Sequence, residues 1–137
     1  MADLPVAPGV TVRTAVLPPS CLGLWDQHAR TVWLDERLSP AERRSTLAHE
    51  LVHAERGDVP CGDPCLDARQ ERRVDREAAR RLIAVEALAD ALRWTRDPRE
   101  VAELLDVDVA LLAARIEALT PTERAQLRSG VAVELVA

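Results

Sequence analysis

The 137-residue sequence contains no Phe and no Tyr, and its aromatic residues are Trp25, Trp33 and Trp94. Leu, Val, Ile and Ala must therefore fill the interior, which suits closely packed helices. Positive charge is not in excess either: 18 basic residues face 23 acidic ones, for a formal charge of -5. Such a balance has no general attraction for phosphate backbones or anionic lipid, so neither direct nucleic-acid binding nor a membrane role is expected. No run of about 18 apolar residues occurs. The start, Met1-Ala2-Asp3-Leu4-Pro5, lacks the basic region and apolar run of a signal peptide, and a cytoplasmic protein is expected. Three cysteines, an odd number, do not make a disulfide framework; Cys61 and Cys65 read as loop thiols and Cys21 as buried filler. There is no internal repeat and no low-complexity segment. The 47% hydrophobic content is enough for one core, and a single domain over residues 1–137 is expected.

Residues 1–38 carry β signals. Positions 10–17 are rich in β-branched residues and end at Pro18-Pro19. Residues 22–25 and 31–34 then flank the polar stretch 26–30 as a hairpin would. A small, mostly antiparallel sheet of about three strands is predicted. From Ser39 the pattern becomes helical. Ser39-Pro40-Ala41-Glu42, Asp97-Pro98-Arg99-Glu100 and Thr120-Pro121-Thr122-Glu123 each place an N-cap side chain, a proline at the first helical position and a glutamate at the third. The first helix should run from 40 to about 56, where Gly57 can supply a left-handed C-terminal residue. A loop over about 58–66 leads to a long second helix, about 67–94, with no internal Pro or Gly. Shorter helices are predicted near 98–105, 109–119 and 121–128. The expected fold is thus α+β: the sheet in 1–38, two long helices in 39–94 and a helical cluster in 95–137.

The first helix contains His49-Glu50-Leu51-Val52-His53. Histidines four residues apart project from one helix face within reach of a single ion, and zinc takes such nitrogen donors tetrahedrally, with one position open in catalytic sites. Glu50 lies about 100° further round, off the metal but near the water that a metal would activate, where a general base belongs. Two of the three histidines in the chain fall in this motif. A third ligand must come from elsewhere. On the second long helix Glu71 and Asp75 share the face that carries Ala78 and Leu82, whereas Glu77 points away. Both carboxylates on that face are candidates, because a buried carboxylate needs a metal or a hydrogen bond.

Glu71-Arg72-Arg73-Val74-Asp75 has the spacing of the thermolysin-like arrangement, in which a glutamate ligand is followed one turn later by an aspartate that holds a ligating histidine. Thr46-Leu47-Ala48-His49-Glu50-Leu51-Val52-His53, the later Glu71-x-x-Val74-Asp75-x-x-Ala78-Ala79 and the downstream segments 101–107 and 112–116 resemble the ImmA/IrrE family of zinc metallopeptidases over roughly residues 30–120. The resemblance implies a zinc ion held by His49, His53 and Glu71, with Glu50 as catalytic base and Asp75 behind a ligating histidine or, alternatively, as the third ligand itself. It implies also a narrow protein substrate, a helix-turn-helix repressor of a prophage or mobile element. The alternative function is a non-catalytic, zinc-stabilised regulator that binds a DNA-binding partner.

Thr31, Val32, Trp33 and Leu34 precede the zinc helix and are expected to form an edge strand on which an extended substrate pairs. Residues 98–119 read like a helix-turn-helix, but two arginines there face five carboxylates, which favours packing or protein docking over groove reading. The arginines at 69, 72, 73, 76, 80 and 81 form the one basic concentration, read as a solvated face partly balanced by Asp67, Glu71, Asp75 and Glu77, with a docking surface for an acidic partner as the alternative. His28 is expected to be an exposed turn residue. Without Tyr, oxyanion stabilisation would fall to an Arg or to the zinc itself.

Overall fold

The N-terminal β-branched run is extended because such side chains lose rotamer freedom in a helix and pack well on a pleated surface. The computed structural model describes residues 4–58 and 62–136. Strands β1 (Thr11–Ala15), β2 (Gly23–Asp26) and β3 (Thr31–Asp35) form one sheet in the order β1-β3-β2. β2 and β3 make the expected antiparallel hairpin, but β1 runs parallel to β3, with Thr11 opposite Thr31 and Ala15 opposite Asp35. The sheet is therefore mixed rather than mostly antiparallel. Side-chain alternation reports which face is buried and is the same for either pairing direction, so the local pattern could not distinguish them. The edge-strand expectation for Thr31, Val32, Trp33 and Leu34 is corrected as well. β3 is the central strand, bonded on both sides, and Val32 and Leu34 are wholly buried.

α1 (Pro40–Arg56) has the predicted limits. Ser39 and Glu42 form a reciprocal capping box, and Gly57 takes the left-handed conformation at φ 67°. Its Leu51 packs with Val32 and Leu34 of the sheet, while Ala48 and Val52 pack with Val74 and Ala78 in the larger helical core. α1 thus lies between two apolar clusters, with its remaining face free to carry chemistry.

α2 (Pro64–Leu82) starts three residues before the predicted 67 because Asp63 caps it, accepting from the amides of Cys65 and Leu66. Asp63-Pro64 is a fourth use of the cap-then-proline start. The single helix expected over 67–94 is two: α2 ends at Leu82, and α3 (Val85–Trp94) begins after an extended Ile83 and Ala84. The cause is tertiary. Ile83 is completely buried, and its carbonyl accepts from Arg115 Nε at 2.7 Å. The bend also lets Leu88 and Ala91 join the same core. α4 (Pro98–Leu105), α5 (Val109–Glu117) and α6 (Pro121–Val136) complete the fold, α6 extending past the predicted 128. The α4–α5 corner docks on α1, where Arg44 donates to the carbonyls of Leu105 and Asp106 and the Asp108 amide donates to Ser45 Oγ. Cys65 is exposed and Cys21 is half-buried rather than buried filler, and both are free thiols. Cys61 lies outside the described residues.

Candidate functional site

The four-residue spacing on α1 places the rings of His49 and His53 edge to face, with centroids 4.8 Å apart and Nε2 atoms 3.1 Å apart. α2 packs along α1 and brings Glu71 against both: Oε2 lies 2.9 Å from His49 Nε2 and Oε1 2.8 Å from His53 Nε2. Asp75, one turn on, approaches the far side of the first ring, Oδ1 lying 2.6 Å from His49 Nδ1. Asp58, just past the α1 C-cap, does the same for the second ring, 3.3 Å from His53 Nδ1, and also accepts from Arg56 Nε at 2.8 Å. Glu77 is turned away and pairs with Arg80 and Arg81.

The donor set fits a cation. Carboxylates at both Nδ1 positions fix the proton there, which leaves a lone pair on each Nε2. In that tautomer two lone pairs and a carboxylate converge, an arrangement that calls for a positive charge, which a metal ion or a proton on an imidazole can supply. Among the described residues His49, His53 and Glu71 are the group able to hold a metal ion, their donor atoms lying within 4.8 Å of one another. Donors around a tetrahedral ion at about 2.0–2.2 Å stand about 3.3–3.6 Å apart, so a few tenths of an ångström of spreading suffices.

The electrostatics agree. Burial opposes protonation of His49, but the Asp75 hydrogen bond and charge, with Glu50 and Glu71, outweigh it and hold the imidazole above its ordinary value. Glu50 is 7% exposed; burial pushes its carboxyl up, with Glu71 and Asp75 adding to the effect and the two imidazoles opposing it. For Asp58 burial works upward, yet hydrogen bonds from Gln70, Arg56 and His53 keep it below the usual carboxylate range.

The cluster sits at the middle of a cleft with two arms. One, of about 520 Å³, extends past Cys21, Ser45 and Thr46 to Asp108 and Leu111. The other, of about 440 Å³, runs past Trp25 to Asp58, Asp67 and Gln70. Gly23, His49, Glu50 and Glu71 belong to both. The strand bordering this cleft is β2, not the predicted β3, whose residues 31–34 do not line it. Because the Asp35 amide bonds the Leu22 carbonyl, alternation along the ladder turns the main-chain groups of Gly23 and Trp25 outward, to the open edge. Gly23 also lets β2 approach α1, since a Cβ there would stand 2.6 Å from Thr46 Cγ2. His28 is exposed in the hairpin turn.

Sequence reasoning missed Asp58, Gln70 and the β2 edge. Asp58 had a signal, a carboxylate one residue beyond the glycine that reverses the chain after the second histidine. Gln70 had none, because its role depends on how α2 lies against α1.

No curated protein and no solved structure shows significant similarity to this chain. The model of the peptidase M78 family, described as the IrrE N-terminal-like domain, matches residues 9–119, which include both site helices and the whole sheet. With the match covering most of its length and the His49, His53 and Glu71 cluster inside it, the chain belongs to the M78 peptidase family.

Proposed function

We propose that this chain is a cytoplasmic, zinc-dependent endopeptidase whose substrate is a DNA-binding protein, a helix-turn-helix repressor of a prophage or mobile element. The observation that carries the reading is the electron-rich trio of His49, His53 and Glu71 at the centre of a two-armed cleft, with Glu50 buried beside it. A site at the end of a pocket would suit trimming; a site with room on both sides suits an internal bond.

In this reading His49, His53 and Glu71 hold the ion, and Asp75 and Asp58 orient the two rings through their Nδ1 protons. Bound zinc supplies a Lewis acid that polarises a carbonyl and brings water towards a pKa of about 7. Glu50 takes the proton from the attacking water and passes it to the leaving amide nitrogen, a transfer favoured by a carboxyl whose affinity for protons burial has raised. The substrate lies extended along β2, with the outward main-chain groups of Gly23 and Trp25 fixing its register. The cleft favours a basic segment. Glu50, Asp58, Asp67, Glu71, Asp75 and Asp108 line it, and no arginine does so among the described residues. Arginine-bearing segments are what a DNA-binding repressor offers.

The zinc-loaded chain is incubated with candidate helix-turn-helix repressors, in parallel with Glu50→Gln. A single internal cut is expected from the native chain and none from the variant, which retains one zinc and binds the repressor. Cleavage by Glu50→Gln at the native rate, or binding without cleavage by the native chain, would overturn the assignment, the latter in favour of a zinc-stabilised regulator.

A further inference from the structure

A second concavity, of about 400 Å³, lies between α1 and α2 and shares no lining residue with the cleft. Its floor is Val52, and five arginines wall it, with Glu77 as the one carboxylate among the lining residues. That is a strong local excess of positive charge on a chain of net charge -5. All 18 basic residues of the chain are arginine, and it has no lysine. We propose that this groove is a docking site for a carboxylate-rich segment of a partner protein, a role that stands whether or not the cleft cleaves.

The arginines fall into two sets. Arg81 and Arg56 are committed: Arg81 donates to Glu55 at 2.6 Å and Glu77 at 3.2 Å, and Arg56 to Asp58 at 2.8 Å. Arg73, Arg76 and Arg80 have donors left over. Arg73 makes no ion pair or hydrogen bond among the described residues. Arg76 approaches only Glu117, at 3.9 Å, and its Nε is buried without a hydrogen-bond partner. Arg80 comes no nearer to Glu77 than 3.6 Å. Positions 73, 76 and 80 follow one face of α2 for two turns, about 10 Å, so the unused donors form a row and not a single pocket. A row suits a chain of anionic groups better than one small ion.

Carboxylates fit that row better than phosphates do. The planar guanidinium can take a carboxylate through two parallel N–H donors, and Arg81, which holds Glu55 through Nη2 and Glu77 through Nε, shows that arginines of this groove already pair with carboxylates. Glu77 stands among the arginines of the groove and would repel a continuous phosphate backbone, whereas individual acidic side chains can be spaced to either side of it. Val52, 1% exposed, gives the floor an apolar patch that strengthens ion pairs formed above it.

The test is fluorescence anisotropy on the full zinc-loaded chain with a fluorescein-labelled decaglutamate peptide, and with decalysine and a 20-base-pair DNA duplex for comparison, at low and at physiological salt. Saturable binding of decaglutamate that weakens with salt is expected, with weaker binding for DNA; decalysine, which the acidic cleft attracts, should bind the native chain and Arg73→Glu alike. Arg73→Glu should lower the affinity at least fivefold and Arg73→Glu with Arg80→Glu further still. Arg73 spends no bond on the fold, so the thermal midpoint should hold in the single variant; Arg73→Gln is the milder substitute. Arg13→Glu on β1 makes the same change in net charge far from the groove and should bind like the native chain. The proposal fails if decaglutamate does not saturate, if Arg13→Glu weakens it as much as Arg73→Glu, or if DNA binds more tightly.

Discussion

Two polar clusters in this fold are built from similar materials and behave in opposite ways. Behind the α2–α3 bend, Arg115 is 3% exposed, yet every charge is answered: its Nε donates to the Ile83 carbonyl, and its Nη2 to Glu123 at 2.8 Å. Glu123 in turn accepts from the Thr120 amide. In the cleft the set stays open, because the Nε2 atoms of His49 and His53 and the Glu71 carboxylate converge on one another and offer three donor atoms to a single cation. A cluster complete in itself fixes the path of the chain; one left open to a cation asks for a ligand. The difference separates structure from function without reference to any relative.

The sharpest way to break the comparison is to damage the complete cluster. Arg115→Met should destabilise the fold by about 3–5 kcal/mol, since it strands the Ile83 carbonyl and a partly buried Glu123. Urea unfolding reads the loss, and zinc affinity of the folded fraction should stay as in the native chain. A fall in zinc affinity as large as the fall in stability would mean that the two clusters are one. The converse change is Asp75→Asn, which leaves the fold intact and removes the carboxylate behind His49. Zinc affinity should drop about 10–100-fold, as is usual for groups that orient a ligating ring. Equilibrium dialysis against a zinc indicator measures it; unchanged affinity would remove Asp75 from the site. Smaller is Gly23→Ala, which presses a methyl group onto Thr46 and the Trp33 carbonyl. A cost of about 1–2 kcal/mol is expected in thermal unfolding, with zinc affinity untouched, and no cost would mean that β2 is free to move away from α1.

The same contrast explains what could be read from the residues alone. The two histidines and Glu50 are fixed by spacing within one helix, and the helix by its caps at Ser39 and Gly57, so local chemistry determined both. Glu71 and Asp75 followed from a helical face. What escaped were relations between distant segments: which strand inserts between the other two, the break at Ile83, and the carboxylate of Asp58 behind His53. Ile83 shows why. Nothing in its neighbours forbids a helix, and the break depends on a guanidinium 32 residues further along. The edge strand was misplaced for a similar reason, since alternation along 31–34 is the same at the middle of a sheet as at its side.

The smallest effect tests whether the complete cluster is held by charge. Glu123 is drawn down from 4.5 to about 2, first by the Arg115 hydrogen bond and then by the Thr120 amide. A carboxyl depressed in the folded state contributes stability that is fully present above its unfolded value and is lost as pH falls through the folded one. Its share should therefore be constant above about pH 5, diminish between about pH 4.5 and pH 2, and be gone below that. Glu123→Gln isolates this share, because glutamine still serves the capping box at that position while carrying no charge. The gap between the urea midpoints of the two proteins should be widest at neutral pH and close progressively on acidification. A gap that keeps its width down to pH 3 would show that shape and hydrogen bonding, not charge, hold Arg115 in place.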